Sequence, residues 1–196
     1  QVRVTYAVPS MLLLMLERPE LTASDLSALR LLMYGTAPMP APAIVRLSEA
    51  LPTTMLLNLY GLTEGGGAVC MLPPHEAKNR PGSLGKPMPP TEARIVDDEI
   101  QLKPPVAGRS YFGGVAAGEE SPWTEDGWLK TGDLGRIDDD GYLYLVDRKK
   151  DLIIRGGFNV SAPEVEAALV AHPDVVDAAV VGVPHSVLGE DTLALV

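Results

Sequence analysis

The 196 residues carry a net charge of −10, from 26 acidic against 16 basic side chains, and 46% of them are hydrophobic. That much apolar material packs a core for one large domain or two small ones and excludes a disordered chain. An acidic surface repels phosphate backbones, so nucleic-acid binding is not expected, while a small nucleotide needs only a local patch and stays open.

The single cysteine, Cys70, excludes an intramolecular disulfide and suits a reducing, cytoplasmic compartment. Between Val69 and Met71 it reads as a core residue. The longest apolar run, 11–16, is too short to span a bilayer, and no signal peptide precedes it. The chain opens on Gln1 and closes on an apolar run, 193–196, so both ends read as cuts through structure.

In chain order, the pattern predicts a short helix over 9–16 and a buried strand over 29–33. A helix follows over 40–51, with Ile44, Leu47 and Leu51 at helical spacing and Pro52 closing it, then a second buried strand over 55–60. This strand–loop–helix–strand order predicts an α/β sheet whose loops carry ligand. The Pro- and Gly-rich stretch 73–90 reads as loop. Strands over 93–96, 100–102, 127–129, 135–137 and 142–146 make the next part β-rich. Asp138-Asp139-Asp140-Gly141 reads as a turn, because no Glu stands twelve positions along as a calcium loop requires.

The segment 152–160 is a strand or hairpin broken by Gly156-Gly157. Ser161 and Glu164 form a capping box for a helix running to about Ala171, where His172-Pro173 stops it. A buried strand over 175–183 comes next. The character changes near 148–151, which places a domain boundary there, with units 1–149 and 150–196. No internal repeat is present. His75, His172 and His185 have no metal spacing and no nucleophile beside them, and read as structural or surface residues.

Chemistry concentrates in three segments: Tyr60-Gly61-Leu62-Thr63-Glu64-Gly65-Gly66-Gly67; Trp128 to Gly135 around Lys130-Thr131-Gly132-Asp133; and Asp147-Arg148-Lys149-Lys150-Asp151 through Gly156-Gly157-Phe158-Asn159-Val160. A tyrosine ring offers a flat face on which a base stacks, and glycines let backbone come close. Thr63 supplies a hydroxyl, Glu64 a hard oxygen suited to Mg²⁺. An ionised carboxylate such as Asp133 accepts from two adjacent hydroxyls at once, and the planar fork of Arg148 suits several fixed acceptors. On residue type alone Thr63-Glu64 is also a helix start, and Asp133 with Arg148 a plain structural ion pair.

Together and in this order these segments resemble the adenylate-forming family of acyl-CoA synthetases, luciferases and nonribosomal adenylation domains; Gly35-Thr36-Ala37-Pro38 also resembles that family's adenine-side loop, and the resemblance covers nearly the whole chain. The segment 147–160 resembles the acyl-CoA synthetase branch more than the amino-acid branch.

The resemblance implies the β-rich end of a large α/β adenylate-forming domain followed by the start of a small α+β domain. It implies ATP, Mg²⁺ and coenzyme A as ligands, with a fatty or aryl carboxylic acid activated as acyl-AMP and passed to a thiol. On it, Gly35 to Pro38 lie beside adenine, Tyr60 stacks on it and Gly61 adjoins. Thr63 meets phosphate and Glu64 the metal. Asp133 and Arg148 hold ribose, Lys150 is a hinge, and Gly156 with Gly157 approaches the CoA arm. Gly65 to Gly67 would leave room for the acyl chain.

The family's phosphate loop is not found after Gln1 and its C-terminal lysine would lie beyond Val196, so this piece alone is expected to be inactive. The segment 96–100 is shorter than the family pattern, either as a truly short hairpin or because a loop was dropped, and 113–121 departs from it. A ligase serving an acyl carrier protein, or a non-catalytic nucleotide-binding module, remains the alternative.

Overall fold

The computed structural model describes residues 2–106 and 121–196. Residues 113–120, most of the segment departing from the family pattern, lie outside them. The chain divides into two compact units: 1–131 with 135–145, and 132–134 with 146–196.

The first unit begins with β1 (Val4–Ala7), α1 (Pro9–Leu16), α2 (Glu20–Ala23), β2 (Leu31–Gly35), α3 (Ala41–Ala50) and β3 (Met55–Leu62). Strands β1, β2 and β3 are parallel, with Val4 beside Leu31 and Leu31 beside Met55. Parallel neighbours need a crossover, which α3 supplies between β2 and β3. Proline in the first turn starts both α1 and α3 where no intrahelical donor is lost. The α3 face that carries Ala43, Ile44 and Leu47 packs with Leu12, Leu32, Tyr34 and Leu56 into one core. Strand β2 starts two residues later than its apolar run suggests. Leu29 bonds back to Leu26 in a turn, and the β1–β2 pairing starts only at Leu31.

An apolar cavity of about 420 Å³ opens among β1 and the three helices, lined by Val2, Tyr6, Leu12, Met15, Leu29 and Leu51. Leu29 and Leu51 place it toward the starts of β2 and β3, whereas the motif loops follow their ends.

The sheet continues with antiparallel pairs, and two of its strands carry residues of the second unit. This continuation comprises β4 (Gly67–Leu72), a 3₁₀ turn (Pro74–Glu76), β5 (Ser83–Pro87), β6 (Glu92–Val96), β7 (Glu99–Lys103), β8 (Leu129–Ile137) and β9 (Leu143–Arg148). The sheet order is β1-β2-β3-β4-β5-β9-β8-β7-β6. Its second core gathers Val69, Cys70, Leu84, Ile100, Leu102 and Leu143.

Strands β4 and β5 fall in stretches not expected to be β. Ser83 shows why: fully buried, it donates to the Leu143 carbonyl at 2.9 Å, while its own carbonyl accepts from Asn58 at 2.9 Å. Those partners are 60 and 25 residues away, so no local pattern announces them. The expected interruption over 130–134 is also absent, since β8 is one strand across it. Asp97 and Asp98, with φ of 51° and 63°, close the β6–β7 hairpin in two residues.

The second unit adds β10 (Ile153–Arg155), β11 (Phe158–Val160), α4 (Ala162–Val170), β12 (Ala179–His185) and β13 (Gly189–Leu195), in sheet order β11-β10-β13-β12. Gly156 and Gly157, both at positive φ, turn β10 into β11. Ser161 Oγ accepts the Glu164 N–H at 3.4 Å at the start of α4, one of the two hydrogen bonds of the expected capping box. Strand β12 starts later than expected. The Val175 N–H caps the His172 carbonyl in the turn after α4, and of the strand only Val180 is buried.

Candidate active site

In the first unit the candidate residues lie at or just past the carboxyl ends of parallel strands, where open α/β sheets bind ligands. Gly35 ends β2. A Cβ there would stand 2.1 Å from the Leu59 carbonyl oxygen on β3, so only glycine fits. Thr36 is exposed and sits at φ 71°, a left-handed conformation that a β-branched residue adopts only under strain. Ala37 and Pro38 are exposed, and buried Met39 anchors the far side of the loop.

Tyr60 lies within β3, half-buried against the second core and paired with Cys70 on β4. The β3–β4 register shifts between Tyr60 and Gly61, the kind of bulge that re-aims a side chain. A Cβ on Gly61 would come within 1.9 Å of the Gly67 carbonyl oxygen. This glycine therefore permits the close approach of β3 to β4. Thr63 and Glu64 lie in the turn that follows, held by Gly65 N–H to Leu62 O at 3.1 Å and Gly66 N–H to Thr63 O at 3.0 Å. They do not start a helix. Among the described residues no group of three or more His, Cys, Asp or Glu could hold a metal. A divalent ion at Glu64 would draw its remaining oxygens from a bound phosphate and water, which is how Mg²⁺ is commonly held.

In the second unit the structure brings Asp133 and Arg148 together. Arg148 Nε stands 3.2 Å from Asp133 Oδ1, and Asp133 is 8% exposed. The guanidinium is half-exposed, so the pair presents a fixed carboxylate and a cation at one surface. Next along the chain, the Lys149 N–H donates to the Gly132 carbonyl at 2.8 Å and the Asp151 N–H to the Arg148 carbonyl at 2.9 Å. Lys150 sits exposed in that turn. The Gly156-Gly157 turn is tied by Gly156 N–H to the Leu188 carbonyl at 2.9 Å, and Arg155 binds Asp191 at 2.5 Å. The hydrogen bond from Arg155 holds the Asp191 carboxyl below its ordinary range. Burial pushes the Cys70 thiol up to about 12, so it is a neutral core group and no nucleophile.

Sequence reasoning passed over Asp147. The signal was there: on β9 the inward positions are Leu143, Leu145 and Asp147, so an acid stands where alternation calls for an apolar side chain.

The AMP-binding enzyme model matches residues 1–117, and that of the AMP-binding enzyme C-terminal domain matches 164–196. The chain belongs to the AMP-binding enzyme family. This AMP-binding enzyme chain is 37% identical to 2-succinylbenzoate–CoA ligase of Bacillus cytotoxicus over 181 residues, covering 87% of this chain and 37% of that enzyme. It is 37% identical to long-chain-fatty-acid–CoA ligase of Yersinia pestis, over 90% of this chain and 33% of that one. Among solved structures it resembles o-succinylbenzoate CoA synthetase of Bacillus subtilis. With that enzyme's acyl-adenylate complex the TM-score is 0.81 at 34% identity, covering 98% of this chain and 40% of that one. With its ATP and magnesium complex the TM-score is 0.79 at 34% identity, covering 98% and 41%. The chain thus spans well under half the length of these relatives. None of its described helices is long and apolar enough to cross a membrane.

Proposed function

We propose that the protein carrying this chain is an ATP-dependent acyl-CoA synthetase, an AMP-forming acid–thiol ligase. Substrate carboxylate attacks the α-phosphorus of ATP and pyrophosphate leaves. The thiol of coenzyme A then attacks the acyl carbon and AMP leaves. The single observation that carries the reading is the buried Asp133 paired with half-exposed Arg148, on a chain whose relatives are CoA ligases.

In this reading Asp133 accepts the ribose hydroxyls and Arg148 adds donors to the same ligand. Tyr60 stacks on adenine, with Gly35, Thr36, Ala37, Pro38 and Gly61 shaping its surroundings. Thr63 donates to phosphate and Glu64 holds Mg²⁺, which would neutralise phosphoryl charge. Lys150 is the hinge between units 1–149 and 150–196, and Gly156-Gly157 meets the CoA arm. The acid is fatty or aryl, admitted where Gly65 to Gly67 remove bulk. Coenzyme A rather than a carrier protein is the acceptor, as the relatives' names favour, and the compartment is cytoplasmic, as the lone reduced Cys70 favours.

Acid-dependent pyrophosphate exchange and thioester formation, measured on the full-length protein across a panel of carboxylic acids, test this reading. Asp133→Ala should weaken apparent ATP affinity by about 10- to 150-fold, the equivalent of one charged hydrogen bond, with the acid constant little changed. An unchanged ATP constant removes Asp133 from the site, and exchange without acid dependence removes the reaction.

A further inference from the structure

Asp147 is a buried acid that the proposed chemistry leaves unused. It is 4% exposed, at the inward position of β9 that follows Leu143 and Leu145. Its Oδ1 accepts the Arg148 backbone N–H at 2.6 Å. Its Oδ2 is buried without a hydrogen-bond partner among the described residues. A buried carboxylate so poorly satisfied destabilises a fold relative to an apolar side chain of similar shape. Stability therefore does not account for an acid at this position.

What the carboxylate achieves is local. It fixes the N–H of Arg148, while the Arg148 carbonyl accepts from Asp151 at 2.9 Å and the next N–H, of Lys149, donates to Gly132 at 2.8 Å. The main chain of Arg148 is thus tied on both sides. Its side chain leaves the other face of the strand and reaches Asp133 at 3.2 Å. A long side chain loses less entropy on engaging a ligand when its root is already immobile.

We infer that Asp147 is a positioning residue, holding the backbone of Arg148 so that the guanidinium is presented to Asp133 and to the nucleotide. The inference rests on the reading of Asp133 and Arg148 as nucleotide-binding residues.

The test is a double-mutant cycle on the full-length protein. AMP dissociation constants would be measured by calorimetry for wild type, Asp133→Ala, Asp147→Ala, Asp147→Asn, Arg148→Ala and the Asp147→Ala/Arg148→Ala pair, with melting temperatures alongside. Asp147→Ala should weaken AMP about fivefold or more, while Asp147→Asn, which keeps an acceptor oxygen, should stay within about twofold of wild type. In the Arg148→Ala background the Asp147 change should add nothing, because its route of action is gone. Should Asp147→Ala fail to fold, Asp147→Leu fills the inward position and carries the same expectation. Wild-type AMP affinity in these variants, or a loss that adds in full to that of Arg148→Ala, overturns the inference. Unchanged AMP binding in Arg148→Ala and Asp133→Ala marks the failure of the nucleotide reading itself, and the positioning role goes with it.

Discussion

Tyr34 carries a phenol into the first core at 0% exposure, and its hydroxyl has no hydrogen-bond partner among the described residues. Burial raises it from 10.0 to about 12, as burial raises Cys70 from 9.0 to about 12. For both groups the folded state holds the proton more tightly than the unfolded chain. Their contribution is therefore fully present below the ordinary values and is lost as pH climbs toward the raised ones. Urea unfolding should give a stability that starts to fall near pH 9 and continues to fall to about 12. Tyr34→Phe removes an unsatisfied hydroxyl, so it should be neutral or stabilising by about 1 kcal/mol at pH 8 and should retain more of its stability above pH 10. Destabilisation of that variant would mean the hydroxyl has a partner after all. A second pair of variants separates glycine roles. Gly61→Ala drives a Cβ into the Gly67 carbonyl, whereas Gly65→Ala meets atoms only at 3.5 Å. The first should cost about 3 kcal/mol or more and the second about 0.5, read as shifts in melting temperature.

At the scale of elements, turn chemistry decides what can be improved. The β6–β7 hairpin places Asp97 and Asp98 in left-handed conformations that favour glycine. Asp98→Gly should raise stability by about 1 kcal/mol, checked by thermal unfolding. Ser161→Ala, which removes the cap on Glu164 N–H at 3.4 Å, should cost about 1 kcal/mol. Helix α3 was legible because its apolar spacing lies within the element and its bounding prolines lie beside it. Strand β5 was not. Ser83, Leu84 and Gly85 look like loop until β9 and Asn58 supply hydrogen bonds from far along the chain. Strand β4 was hidden for the same reason, being specified by its pairing with β3.

At the scale of the molecule, the proposed chemistry needs one site to serve two half-reactions, so a few residues must absorb a large change in φ and ψ. In the proposed reading Lys150, exposed in the turn after Arg148, does so. Lys150→Pro locks φ near about −65° and restricts Lys149 as well. Single-turnover timing should then show acyl-AMP formation surviving while thioester formation falls by orders of magnitude. Equal slowing of both steps, or of neither, counts against a hinge there.

By itself the sequence determined the family motifs, helices α1, α3 and α4 and the β10–β11 turn. Each is a property of residues near one another in the chain, governed by periodicity, caps and turn conformations. Only the tertiary structure decided that Gly61 serves strand approach, that Thr36 is strained, that β4 and β5 exist, and that Asp133 is buried against Arg148 with Asp147 behind it. Each of these depends on which distant backbone comes within a few ångströms. Local patterning carries no record of such distances, because they are set by sheet order and packing.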